Sequence, residues 1–277
     1  MRRATAVALA LLMAACAGGG SDVGLDAAGN LGESSYNLDA NMPDDADVMV
    51  GERRDARSRA IAHVELAGAY YSQANMGVAL EEVRIALKAD PGYAPGYNML
   101  GLIQVELKDL VRARASFERS LRIDPRDPDA NHNYGRLLCQ IGQVSEGVRR
   151  FLAAVQNPLY RTPARSYAAA GACYLGGQRA EEALDMFQQS LRIDPNFVPA
   201  LLPAAELSMK KGNLEPARTL VQRFNTLTRP TPESTWLLLR IERRRGDAVA
   251  EAASTALLKQ RFPDSDQAAR LTRGEFD

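Results

Sequence analysis

A short string recurs along this chain at intervals that leave few folds open. Ala89-Asp90-Pro91, Ile123-Asp124-Pro125 and Ile193-Asp194-Pro195 share an Asp-Pro step; the first two lie 34 residues apart and the third a further 70, which is two periods plus two. With that proline at position 32 of a 34-residue unit, other residues fall into register. The unit starting at Ala60 places Leu66, Ala67, Tyr70, Ala79 and Ala86 at positions 7, 8, 11, 20 and 27. The next places Tyr97, Leu100, Gly101, Ala113, Phe117 and Ser120 at positions 4, 7, 8, 20, 24 and 27. A unit this short leaves an apolar face that only its neighbour can cover, so the fold must be a stacked array.

Small residues at 8, 20 and 27, large apolar residues between them and a proline ending the second helix form the tetratricopeptide (TPR) pattern, a helix-turn-helix of 34 residues. The third unit keeps Tyr134, Gly135 and Phe151; the fourth keeps Tyr167, Gly171, Tyr174, Ala183, Phe187 and Ser190, after a two-residue insertion around residues 157–163. The fifth keeps Ala205, Gly212 and Ala217, and a degenerate sixth keeps Gly246 and Pro263. The expectation is all-α: a superhelical solenoid of six repeats at about 60–93, 94–127, 128–163, 164–197, 198–231 and 232–265, within a domain of 53–266 and followed by a polar tail at 267–277.

In TPR proteins, positions 2, 5, 9, 12 and 13 of each first helix face the concave groove. Here they read Ile61, Val64, Gly68, Tyr71 and Ser72, then Pro95, Asn98, Leu102, Val105 and Glu106. That stripe suits an apolar peptide, with Asn98 free to bond its backbone, and Val64, Tyr71, Asn98, Leu102 and Val105 are the expected protein-binding residues. A carboxylate clamp, which places lysine and asparagine at positions 5 and 9 of the first repeat, does not match Val64 and Gly68. The third repeat offers Asp129, His132, Arg136, Cys139 and Gln140, and the sixth Glu233, Trp236, Arg240, Arg243 and Arg244. Trp236 is expected to pack between repeats, and Arg243-Arg244-Arg245 to form a solvated face.

Upstream of the repeats, Met1-Arg2-Arg3 and the apolar run Ala4 to Leu12 form a secretory signal, since that run is far below the roughly 20 residues a membrane span needs. Leu12-Met13-Ala14-Ala15-Cys16 resembles a bacterial lipobox, which makes residues 1–15 a cleaved signal, Cys16 the lipidated residue and Ala17 a signal for the outer membrane. From Ala17 to Glu52 there are eight acidic residues and no Lys or Arg. Residues 16–52 are therefore expected to be a flexible acidic tether.

Charge divides accordingly. The whole chain balances 34 Lys and Arg against 34 Asp and Glu, whereas residues 53–277 carry 32 against 26. A mildly basic solenoid in an oxidising compartment does not suit nucleic acid. His63 and His132 lie two repeats apart, no phosphate loop or HExxH occurs, and neither catalysis, a metal, a cofactor nor a small-molecule substrate is expected. After acylation of Cys16 an even pair remains: Cys139 and Cys173, at positions 12 and 10 of adjacent first helices. Residues two apart on a helix point about 200° from one another, so a forward-facing Cys139 would meet a backward-facing Cys173. The pair reads either as a disulfide or as two buried thiols.

Three local strings go beyond a generic repeat: Asn131-His132-Asn133-Tyr134-Gly135 with Leu138-Cys139, then Asn157-Pro158-Leu159-Tyr160, and Arg261-Phe262-Pro263-Asp264-Ser265. With the lipobox they make the chain resemble the PilF/PilW family of type IV pilus biogenesis lipoproteins over roughly residues 55 to 265. The acidic tether is longer than the linkers expected of that family. The resemblance implies a pilotin that binds the secretin subunit and promotes its outer-membrane localisation and multimerisation. A lipoprotein scaffolding another envelope machine, for outer-membrane protein insertion or cell-wall synthesis, is the alternative.

Overall fold

The computed structural model describes residues 45–276. The signal, Cys16 and most of the acidic segment lie outside the described residues. Residues 49–277 form one unit, and among the described residues there are thirteen helices and no strand. Six helix pairs match the six repeats: α1 Asp45–Ser72 with α2 Met76–Ala89, α3 Ala94–Glu106 with α4 Leu110–Ile123, α5 Pro128–Gln140 with α6 Val144–Val155, α7 Pro163–Gly176 with α8 Ala180–Ile193, α9 Val198–Lys210 with α10 Leu214–Leu227, and α11 Pro232–Arg245 with α12 Ala248–Arg261. A last helix, α13, spans Asp266–Arg273. Each helix packs on the next, and first helices of adjacent repeats also touch, as α3 does α5 and α5 does α7.

Local chemistry punctuates the array at fixed repeat positions. Proline opens α3, α5, α7, α9 and α11, where the missing N–H would have no intrahelical partner. Position 15, between the two helices, is left-handed in all six repeats: Ala74, Lys108, Gly142, Gln178, Gly212 and Gly246. At position 27, Ser120 and Ser190 donate their buried hydroxyls to the carbonyls of Ala94 and Ala164, 2.9 and 2.8 Å away, each bridging the ends of one repeat.

The core runs both between the two helices of a repeat and between neighbouring repeats, and within a repeat its volume is exchanged between positions 8 and 24. Repeats two, three and four pair Gly101 with Phe117, Gly135 with Phe151 and Gly171 with Phe187, and each ring lies where the glycine's Cβ would be. Repeats one and five use Ala67 with Val83 and Ala205 with Val221, all four fully buried. A smaller residue on one helix is matched by a larger one on the other, which keeps the interior filled.

The structure corrects both ends of the sequence reading. Helix α1 begins at Asp45, so residues 45–52 are helical and not tether. Acidic composition read as coil is equally what a helix amino terminus accommodates. Further along the same helix, Arg57 pairs with Asp90 and lies 5.1 Å from the Tyr93 ring centre. At the other end, residues 267–277 are not simply a polar tail. Helix α13 begins 34 residues after α11 and takes the place of a seventh first helix. Its Ala268, with Leu271 and Phe276, packs on Trp236, Leu239 and Leu258 and closes the last repeat. Only three apolar residues carry that contact, which is why the polar composition hid it.

Candidate functional site

The first helices of repeats one to five enclose a cavity of about 760 Å³. Its lining follows the groove positions of the repeat. Tyr71 comes from repeat one; Leu102, Val105 and Glu106 from repeat two; His132, Arg136, Cys139 and Gln140 from repeat three. All five groove positions of repeat four contribute: Arg165, Ala168, Ala172, Leu175 and Gly176. Pro199 and Pro203 close it at repeat five. The wall at repeat four is formed largely by small residues, because that helix presents only alanine or glycine at three of the five positions. Apolar walls with a few polar groups on a repeat's concave side suit a peptide segment.

Of the five residues expected to bind a partner, Tyr71, Leu102 and Val105 line this cavity, and Val64 and Asn98 do not. Asn98 is also less free than expected, because its Oδ1 accepts from Asn133 Nδ2 at 3.1 Å. The residues that sequence reasoning passed over are Arg165, Ala168, Ala172 and Leu175. The same five-position stripe, read through the fourth repeat, finds them.

Polar groups at the site are held by neighbours. Tyr71 donates its hydroxyl to Glu106 Oε1 at 3.3 Å, and its pKa is raised by burial and then by that carboxylate's charge. His132 is 1% exposed. Its Nδ1 lies 2.8 Å from Ser166 Oγ, which lies 2.8 Å from Tyr160 Oη, so a buried chain of hydrogen bonds joins the groove helix to the inserted loop. The ring packs on Phe151 with centroids 5.3 Å apart. Burial lowers the His132 pKa to about 3, with the positive charges of Arg165 and Arg136 adding to the shift, so the imidazole is neutral at ordinary pH. Its hydrogen bond to Ser166 and its contact with Phe151 tie α5 to its neighbours.

Cys139 and Cys173 also face this cavity, paired across repeats three and four with Cα atoms 5.5 Å apart. Position 20 of repeat three is Gly147, where the other first five repeats have alanine. A Cβ there would run into Cys139 Sγ and lie 2.9 Å from the Gly135 carbonyl oxygen, so the missing methyl makes room for the sulfur.

The sixth repeat presents a different surface. Trp236 is buried and stacks on Phe276 with centroids 5.5 Å apart, and the Arg270 guanidinium lies 5.5 Å from its ring, which is the packing role expected of it. In the arginine run Arg243 and Arg244 are exposed, as a solvated face requires, and Arg245 is half-buried, and all three have partners on the protein. Arg243 pairs with Glu251 at 3.3 Å and lies over the Phe276 ring, Arg244 donates to the Met209 carbonyl, and Arg245 pairs with Glu215 at 2.7 Å and with Glu242. Glu242, almost fully buried, also receives Arg218 Nε at 2.7 Å. A buried carboxylate needs such cationic partners, and Arg218 and Arg245 supply them.

Comparison with known proteins agrees with this architecture. Models described as tetratricopeptide repeat match residues 65–128, 116–149 and 174–226. The chain is 27% identical over 205 residues to the type IV pilus assembly protein PilF of Pseudomonas aeruginosa, covering 74% of this chain and 81% of PilF. The solved structure of P. aeruginosa PilF superposes with a TM-score of 0.71 at 25% identity, covering 80% of this chain and 99% of that one. That of PilW, described as a widely conserved type IV pilus biogenesis factor, gives 0.66 at 26%, covering 77% and 98%. Thirteen helices in the TPR phase among the described residues, a cavity on the groove positions and these likenesses make the chain a tetratricopeptide-repeat homologue of PilF, structurally close to PilF and PilW.

Proposed function

We propose that this protein acts in type IV pilus biogenesis as a non-catalytic lipoprotein of the outer membrane, holding a segment of the secretin subunit in its concave cavity and promoting secretin localisation and multimerisation. The observation that carries the reading is the cavity itself, apolar, about 760 Å³ in volume and lined by the groove positions of consecutive repeats in a homologue of PilF. Lipidation at Cys16 would hold the solenoid at the periplasmic face of that membrane. One acyl chain anchors only marginally, and the three chains of a bacterial lipoprotein anchor firmly. A recognition role needs no catalytic group, and the neutral, buried His132 is consistent with that.

The test is co-purification from envelope extracts with the full-length protein as bait. Wild type is expected to retain the secretin. A Tyr71→Glu, Leu102→Glu double variant is expected to lose it while keeping its helical circular dichroism. Equal retention by the folded variant would exclude this cavity as the secretin site.

A further inference from the structure

The polar groups of the cavity are unevenly balanced. Arg136 and Arg165, at positions 9 and 2 of adjacent repeats, are both exposed and both line it. Among the described residues neither forms an ion pair. Arg114, Arg150 and Arg179, on neighbouring helices, each pair with a glutamate three or four residues away, namely Glu118, Glu146 and Glu182. Glu106 is the acidic residue in the lining, and its carboxylate takes the Tyr71 hydroxyl. Two guanidinium groups thus flank an apolar hollow, neither of them held in an ion pair, and the field of both reaches His132 in the wall.

A wholly apolar ligand would leave both cations partly desolvated and unpaired, which is unfavourable. A carboxylate brought in by the ligand would replace lost water with charge-assisted, two-pronged hydrogen bonds, and guanidinium geometry favours that pairing over any neutral acceptor. We infer that the segment this cavity receives is an apolar peptide stretch bearing acidic side chains, and that Arg136 and Arg165 pair with them to set its register. The inference rests on the peptide-groove reading above and names the chemistry of the partner at that site. The apolar wall of Leu102, Val105 and Leu175 supplies contact area, and the two arginines discriminate among apolar segments.

The experiment places a photo-crosslinking amino acid at Ala172, an exposed groove residue, in the full-length protein in cells, and identifies captured peptides by mass spectrometry. Capture of a secretin segment containing Asp or Glu is expected. An Arg136→Glu, Arg165→Glu double variant is expected to lower capture about tenfold without shifting its thermal midpoint, and exchanging the captured acids for lysine should restore it. Undiminished capture of the secretin by the double variant would overturn the inference and leave the proposed function standing, as would capture of a segment without acidic residues. Capture of a different envelope protein with the same arginine dependence and charge-swap rescue would uphold the inference and overturn the secretin reading. Absence of any arginine-dependent capture would overturn the inference.

Discussion

Gly101 and Phe117 compete for one volume: a Cβ built on Gly101 would lie 2.7 Å from the Phe117 ring, inside any tolerable contact. The same exclusion recurs in repeats three and four, and it is relieved in repeats one and five, where valine replaces the ring and alanine the glycine. Gly101→Ala is therefore expected to destabilise the protein by about 2 kcal/mol through overpacking. Phe117→Val is expected to cost about 2 to 3 kcal/mol through the cavity it leaves. The double variant reproduces the Ala67 and Val83 pair, so its loss should fall short of the sum by at least about 1 kcal/mol. Urea unfolding of the four proteins measures the coupling, and strict additivity would contradict it.

Position 15 allows a stabilising change. Ala74, Lys108 and Gln178 sit at φ of 59°, 63° and 60°, a region that costs a residue with a Cβ roughly 1 to 2 kcal/mol. Replacement of each by glycine, as Gly142, Gly212 and Gly246 already show, is expected to raise stability by about 0.5 to 1 kcal/mol after the entropy glycine loses on folding. Thermal midpoints of the single variants test this, with Gly142→Ala moving in the opposite direction.

The bond between Cys139 and Cys173 closes a loop with a sequence separation of 34. The loop-entropy model gives such a closure on the order of 3 to 5 kcal/mol. Alkylation of freshly prepared, denatured, unreduced protein should label neither residue, and Cys139→Ser with Cys173→Ser should lose stability of that order. Gly147→Ala should also lower the fraction of protein in which the bond forms, because the added methyl takes the position of Cys139 Sγ.

His132 makes stability depend on pH in a known direction. Its folded pKa is about 3 against an ordinary 6.5, so between those values the unfolded chain binds a proton that the folded chain does not. Stability therefore falls as pH drops from about 6.5 towards 3, by about 1.4 kcal/mol per pH unit from this group. Relative to a His132→Gln variant, the wild type should lose ground on acidification over that window and not above pH 7. Denaturant midpoints at pH 7.5 and 5 decide it; parallel losses in the two proteins would assign the acid sensitivity elsewhere.

The array was legible because its recognisable residues close the helix pairs and the joins between them, Gly135 on Phe151 within a repeat and Tyr134 on Phe117 of the repeat before. Tyr134, Gly135 and Phe151 announce the interior, and Pro91, Pro125 and Pro195 the exits. The groove was legible in direction, since Tyr71, Leu102 and Val105 do line it. Its extent into repeat four was not, because Ala168 and Ala172 line it with side chains that carry no signal of their own. The ends were hard for a related reason. Asp45 opens a helix with residues that also favour coil, and α13 closes the solenoid with little more than Ala268, Leu271 and Phe276. The pairing of Arg245 with Glu215 is invisible until the repeats stack, whereas Glu242 lies one turn before Arg245 on α11.

The central claim is that this groove supports secretin assembly. Its most direct test is the abundance of heat-stable secretin multimers in outer-membrane fractions from cells carrying the wild-type protein, no protein, or the folded Tyr71→Glu, Leu102→Glu variant at equal level. Abundant multimers are expected with wild type, and a common, low level in the other two. Multimers at the wild-type level in the absence of the protein, or undiminished with the variant, would contradict it.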